Sequence, residues 1–218
     1  MLEPEREQVA RAARRLAADG LVAGTSGNVS ARREDHVAIT PTGAVLAELA
    51  PAQVTVVTRT GTVVEGELQP TSELDLHLGI YERFDTGAVV HTHAPFATAL
   101  SCVLDELPCV HYEMLMLGGA VRVAPYTTFG TPELANAVAG ALEGKTAALM
   151  ANHGAVTHGR DLASAIRATE LLEWAATVYW RAAALGQPRV LEPQQQQAVV
   201  DAALAHGYGR TRPAEPAS

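Results

Sequence analysis

In the opening segment, Val9, Ala12, Ala13 and Leu16 recur at the spacing of one helical face among charged residues. They predict an amphipathic helix over residues 5–19, with Gly20 as its stop. The pattern then changes. Gly24–Asn28 is a polar turn between apolar residues, and His36–Thr40 reads as a short strand ended by Pro41-Thr42-Gly43. Residues 54–64 read as two β-branched strands around a turn at Gly61. Helical spacing returns over Glu73–Arg83, with Leu74, Leu78 and Tyr81 as the apolar stripe and His77 beside them. Ser72 with Asp75 resembles a capping pair at its start. Ala88–Thr92 is apolar enough for a buried strand, and Pro95–Val103 and Thr131–Leu142 suit helices. In the latter, Pro132 occupies the first turn and Gly144 lies past the end. Thr146–Met150 reads as a core strand continued by Ala155–Thr157. Asp161–Leu185 is the clearest helix, and a shorter one spans about residues 194–204. Strands alternating with helices, plus one hairpin, predict an α/β architecture with a mixed sheet. No repeat or linker divides the chain, so one domain is expected over residues 1–210, with 211–218 as a flexible tail.

Composition narrows the class. With 48% hydrophobic and 18% charged residues, the chain has the makings of a packed core. Its 24 acidic against 16 basic residues give a net charge of −8, which argues against a nucleic-acid or anionic-membrane partner. No apolar run approaches the ~20 residues that span a bilayer, and the charged start lacks the apolar stretch of a secretory signal. Two cysteines, Cys102 and Cys109, are too few for a disulfide framework, so they read as packing residues in a reducing cytoplasm. Trp174 and Trp180 read as core or subunit-contact anchors. A small-molecule enzyme is the class that remains.

The sharpest candidate chemistry is His91-Thr92-His93. In a strand, residues i and i+2 face one side, so both imidazoles can reach one ion. His153, where an apolar strand breaks into Ala151-Asn152-His153-Gly154, is the natural third ligand of a catalytic zinc site. Taken alone, an H-x-H pair is more simply a pair of strand-end histidines bonded to backbone. Three hydroxyl- and glycine-rich turns, Gly24–Asn28, Thr42-Gly43 and Thr71-Ser72, could hold a phosphate through N–H groups, hydroxyls and a helix N-terminus. Singly, each is as well read as an ordinary turn. Glu73 would complement a helix dipole, and His77 reads as a helix-packing histidine. No G-x-x-x-x-G-K-[ST] or G-x-G-x-x-G is present.

Taken together, GTSGNVSAR at 24–32, TPTG at 40–43, PTSELDLH at 70–77, VVHTHA at 89–94 and ANHGAV at 151–156 resemble the class II aldolase/adducin family in order and spacing, over roughly residues 5–208. The resemblance implies a three-layer fold, with a mixed, mainly antiparallel sheet between helices, and a homotetramer with active sites at subunit interfaces. It implies one Zn2+ per subunit, held by His91, His93 and His153, with Glu73 as the fourth metal-side group and catalytic base. By the same resemblance Thr25, Asn28, Thr42, Gly43, Thr71 and Ser72 hold the substrate phosphate. Tyr112, in HYEMLMLGG, matches a proton-donating tyrosine contributed across an interface, and Tyr208 matches one that closes over substrate. The implied reaction is reversible cleavage of a deoxy-ketose 1-phosphate, L-fuculose 1-phosphate or a related sugar, to dihydroxyacetone phosphate and an aldehyde, with fuculose, 5-deoxyribulose and rhamnulose-type phosphates all open. Rival readings are a ribulose-5-phosphate 4-epimerase, a branch that carries aspartate at Glu73, and a methylthioribulose-1-phosphate dehydratase using Glu113. A metal-free adducin-like module is disfavoured by the three histidines.

Overall fold

The computed structural model describes residues 1–206. Its strands are β1 (Asn28–Arg33), β2 (His36–Ile39), β3 (Thr55–Thr58), β4 (Val63–Glu65), β5 (Ala88–Thr92), β6 (Glu106–Leu107), β7 (Val121–Ala124), β8 (Ala147–Met150) and β9 (Gly154–Gly159). They form one nine-stranded sheet in the order β4-β3-β2-β1-β5-β9-β8-β7-β6. Only β7 and β8 pair in parallel; the other described pairs are antiparallel. The helices are α1 (Glu3–Ala18), α2 (Leu74–Arg83), α3 (Pro95–Ser101), α4 (Pro132–Ala141), α5 (Leu162–Leu185) and α6 (Pro193–His206).

Strand alternation divides the interior in two. Val29, Ala31, Ala88, Val90, Leu149 and Ala155 pack in the core beneath α1, α3 and α5. Val89, Ala148, Met150 and Val156, one residue out of phase, pack with Leu76, Ile80 and Tyr81 of α2 and Leu134 and Val138 of α4. Every residue of central β5 is buried because helices cover both its faces, as the apolar start Ala88-Val89-Val90 foretells. By the same alternation Asn28, Ser30 and His91 face the α2 side. Pairing of β1 with β5 sets Asn28 opposite His91, and pairing of β5 with β9 sets Thr92 opposite Ala155.

Several expectations need correction. The expected turn at Gly24–Asn28 leads into β1, a full strand that the sequence pattern does not announce, whose inward polar residues, Asn28 and Ser30, find partners on α2. Ala155–Thr157 does not continue β8. The chain reverses through Ala151-Asn152-His153, with Asn152 at φ 54°, and returns antiparallel as β9. β6 and β7 lie in a stretch without alternation strong enough to announce them. α2 begins at Leu74 with Glu73 as N-cap and no side-chain cap bond, so the Ser72–Asp75 pair does not form. Its buried face is Leu76, His77, Ile80 and Tyr81, rotated from the expected Leu74–Leu78–Tyr81 stripe. Trp174 and Trp180 lie outside the core, half exposed, and Cys102 is exposed while Cys109 is buried. The expected tail and Tyr208 lie outside the described residues.

Two polar devices hold the helices next to the site. Asp161 caps α5 by accepting from the Ser164 N–H at 2.7 Å. Half-buried Glu173 of α5 accepts from the N–H groups of Phe96 and Ala97 at 2.9 and 2.8 Å, tying the start of α3 to α5 directly after His93-Ala94. Among the described residues no helix is long and apolar enough to cross a membrane.

Candidate active site

His91 sits near the end of β5, His93 just beyond it, and His153 in the turn between β8 and β9. Pairing of β5 with β9 brings these distant segments together. The three rings meet edge to face with centroids 4.9–5.1 Å apart, and their ligand nitrogens lie within 4.8 Å of one another. Closeness at this point excludes a side chain on Gly154. A Cβ there would stand 2.5 Å from the Thr92 carbonyl oxygen and 3.0 Å from the His93 ring.

Glu73 approaches from the α2 side. Its Oε2 lies 3.1 Å from His91 Nε2 and accepts from Asn28 Nδ2 at 2.9 Å. Its Oε1 lies 3.4 Å from His153 Nε2 and makes no hydrogen bond, although it is buried. His91 Nδ1 lies 2.9 Å from the Ala155 carbonyl oxygen, which can only accept, so Nδ1 carries the proton. His91 Nε2 lies 3.1 Å from His93 Nε2. Three imidazoles and an unsatisfied carboxylate oxygen around one point suit a divalent cation of the zinc type, and a carbonyl behind the first histidine is the usual orienting partner of such a ligand. Burial pushes the Glu73 carboxyl up, but the hydrogen bonds and charge of its His91 and Asn28 neighbours more than offset this and hold it well below the usual carboxylate range. Burial also pushes His93 down to about 4, keeping it neutral as a ligand must be.

Glu73, His93 and His153 form one wall of an open cavity of about 380 Å³, with His91 buried behind them. Opposite lie the hydroxyl-rich turns, with Thr25, Asn28, Thr42, Gly43, Thr71 and Ser72 all lining the same space. A bridge between Pro41 and Pro70, with Thr71 N–H donating to the Thr40 carbonyl at 3.0 Å, holds two of the turns side by side. Among the described residues no lysine or arginine lines the cavity, so an anion there would rely on N–H groups, hydroxyls and the start of α2.

Sequence reasoning missed a third wall. Tyr126, Thr127 and Phe129, in the loop between β7 and α4, close the mouth. Thr127 Oγ1 is buried there without a hydrogen bond, and the two aromatic side chains are about two-thirds exposed, at 65% and 62%. The only available signal was an aromatic pair in a Pro- and Thr-rich loop just before a helix start. Two expected residues are not brought to the cavity within one chain. Tyr112 and Glu113 line a separate apolar groove with Met116, Val200 and Leu204 of the α6 side. Asn28 does line the cavity, but its carboxamide is engaged by Glu73 and by His77. His77 is therefore not simply a packing histidine.

Comparison with known proteins agrees with this geometry. A family model described as the Class II Aldolase and Adducin N-terminal domain matches residues 7–180. A 5-deoxy-D-ribulose 1-phosphate aldolase from Bacillus thuringiensis is 37% identical over 213 residues, covering 96% of this chain and 99% of that protein. A 5-methylthioribulose-1-phosphate/5-deoxyribulose-1-phosphate aldolase from Rhodospirillum rubrum is 39% identical over 208 residues, 94% of each chain. Among solved structures, an L-fuculose 1-phosphate aldolase superposes with a TM-score of 0.87 at 36% identity, covering 91% of this chain and 95% of its own.

Proposed function

The chain belongs to the class II aldolase and adducin family, and we propose that it is a metal-dependent aldolase of that family acting on a 5-deoxy-ketose 1-phosphate. Its foremost substrate would be 5-deoxyribulose 1-phosphate, split reversibly into dihydroxyacetone phosphate and a short aldehyde. One observation carries the reading. A buried carboxylate oxygen, Glu73 Oε1, is free of hydrogen bonds beside three convergent imidazoles and faces a cavity walled by hydroxyl turns. The choice of sugar is supported by the two relatives named for 5-deoxyribulose 1-phosphate, which match over 94% or more of this chain. The aromatic mouth formed by Tyr126 and Phe129 is also suited to an apolar, deoxygenated end.

In this reading the turns at Thr25, Thr42-Gly43 and Thr71-Ser72, with the backbone at Asn28, take the phosphate and supply remote binding energy that fixes the reacting carbons. When bound at His91, His93 and His153 beside Glu73, a Zn2+ ion supplies Lewis-acid stabilisation of the charge that cleavage leaves on the dihydroxyacetone phosphate fragment. Written in the direction of addition, ionised Glu73 takes a proton from C3 of dihydroxyacetone phosphate, the C3 electron pair forms the C3–C4 bond to the aldehyde carbon, and the Tyr112 hydroxyl of a neighbouring subunit gives its proton to the aldehyde oxygen, which becomes the C4 hydroxyl. Cleavage is the reverse of these steps, and a proton passed between Glu73 and Tyr112 through solvent closes the cycle, so no atoms are gained or lost. In the same reading the protein is a cytoplasmic homotetramer; that Tyr112 lies outside the cavity of its own chain supports a site shared between subunits. Glu113 shares with Tyr112 its place outside the cavity of its own chain, so the dehydratase alternative is separated by its product, water loss in place of C–C cleavage.

The deciding experiment is a panel of 5-deoxyribulose, 5-methylthioribulose and L-fuculose 1-phosphates with coupled detection of dihydroxyacetone phosphate. The expected result is fastest release from the 5-deoxyribulose compound. Loss of water without C–C cleavage would refute the aldolase. Mixing Glu73→Gln and Tyr112→Phe subunits should restore activity through hybrid sites. Failure despite demonstrated subunit exchange would remove Tyr112 from its neighbour's site.

A further inference from the structure

Behind Glu73 a line of buried polar side chains crosses the α2 face of the sheet. Asn28 Nδ2 donates to Glu73 Oε2 at 2.9 Å, and Asn28 Oδ1 lies 2.5 Å from His77 Nε2. His77 Nδ1 lies 2.7 Å from Ser30 Oγ, which lies 2.7 Å from the Tyr81 hydroxyl. Asn28, Ser30, His77 and Tyr81 are all buried, with His77 and Ser30 at 0% exposure.

Elementary donor and acceptor rules leave one arrangement of protons. An ionised Glu73 only accepts, so the Asn28 amide must turn its NH2 toward it; the flipped amide would set oxygen against carboxylate. Asn28 Oδ1 then only accepts, so the proton of His77 lies on Nε2. Burial pushes His77 down to about 3, and the neutral ring has a single N–H. His77 Nδ1 must therefore accept the Ser30 hydroxyl proton. Ser30, having donated its only proton, accepts from Tyr81, whose oxygen in turn receives a backbone bond from Val89. Every bond points the same way, toward Glu73.

We propose that His77 is a positioning residue that locks the Asn28 carboxamide and thereby aims the Glu73 carboxylate, keeping Oε2 tied back and Oε1 free to face the substrate. This role rests on the reading of Glu73 as the proton-transferring group. Without the His77 N–H the Asn28 amide could rotate, and Glu73 Oε2 would lose its tether. Ser30 and Tyr81 act at one remove: they fix which ring nitrogen holds the proton. A histidine needed only for packing would place no demand on its tautomer.

The test pairs His77→Leu with His77→Gln. Glutamine carries a donor and an acceptor in the same 1,3 relation as the two ring nitrogens, so it can serve both Asn28 and Ser30. Leucine can serve neither. His77→Leu should lower kcat about 10–100-fold, the usual cost of losing an orienting partner, with KM unchanged, and His77→Gln should recover most of that loss. In a Glu73→Gln background the same His77→Leu change should have no further effect on kcat, because its action runs through Glu73. Equal losses in the Leu and Gln variants, or an undiminished effect in the Glu73→Gln background, would overturn the proposal. Nitrogen-15 NMR of the wild-type chain needs no substrate and no variant that might fail to fold. It should place the His77 proton on Nε2, and a proton on Nδ1 would overturn the proposal by itself. If the wild type cleaves no ketose 1-phosphate, the aldolase reading fails while the spectrum still decides the tautomer.

Discussion

Beneath α1, α3 and α5, polar groups inside the core are satisfied close to home: Thr157 Oγ1 pairs with Thr169 Oγ1 at 2.7 Å, and Thr169 donates to the Ala165 carbonyl one helical turn away. Beneath α2, by contrast, polar side chains from two elements bond in sequence from Tyr81 through Ser30, His77 and Asn28 to Glu73. Both faces bury comparable strands, and on both the hydroxyls just named are bonded. They differ in whether the bonding stays local or runs to a destination. A local bond only removes the penalty of burying a polar atom. A connected line transmits an orientation, which matters only where one atom must point in a particular direction. The contrast teaches that the two faces should fail differently when damaged.

The largest effect is expected at the end of the line. Glu73→Gln keeps the size and removes the base, so kcat should fall about 10²–10⁴-fold while the melting temperature barely moves; steady-state kinetics with calorimetry check both. Next comes the opposite face. Leu172 of α5 is 1% exposed, and Leu172→Ala should cost about 2–5 kcal/mol of stability by leaving a cavity, read as a shifted denaturant midpoint, with kcat per folded molecule unchanged. A loss of kcat without a loss of stability there would break the comparison.

The smallest effect concerns His158, far from Glu73 along β9, stacked on Phe84 at a centroid distance of 5.2 Å and bonded to Thr86 and the Lys145 carbonyl. Burial holds its pKa below the ordinary value of 6.5, against an opposing pull from the Lys145 carbonyl. The unfolded chain therefore takes up a proton that the folded chain refuses, so stability should decline as pH falls below about 6.5. The slope from this group cannot exceed about 1.4 kcal/mol per pH unit. Denaturation at several pH values, wild type against His158→Gln, isolates it: the variant should show the shallower decline.

Much of this was legible from the residues. The apolar start of β5 and the long periodicity of α5 announce themselves, and His91, His93, His153 and Glu73 converge as their motifs imply. What stayed hidden has physical reasons. β1 hides because its inward side chains, Asn28 and Ser30, are polar, and only α2, far along the chain, supplies their partners. The break between β8 and β9 hides because residues on both sides are equally apolar, and the reversal hangs on one left-handed residue, Asn152. Tyr126 and Phe129 lie in a loop, where no periodicity points at a cavity. His77 hides because a histidine on an apolar helical face looks like packing until its neighbours are known.

The register that sets Thr92 opposite Ala155 also imposes an order in time. His91 and His93 leave the ribosome early and hold an ion only weakly as a pair, whereas His153 arrives much later and joins them only once β9 has docked beside β5. The complete ligand set thus appears at a late, long-range closure of the chain, the slow kind of contact to make. A chain stalled before that closure lacks a strong metal trap, so loading of the ion reports that the middle of the sheet has zipped shut. Where the metal is scarce, this arrangement would direct the ion to finished molecules and away from fragments still being made.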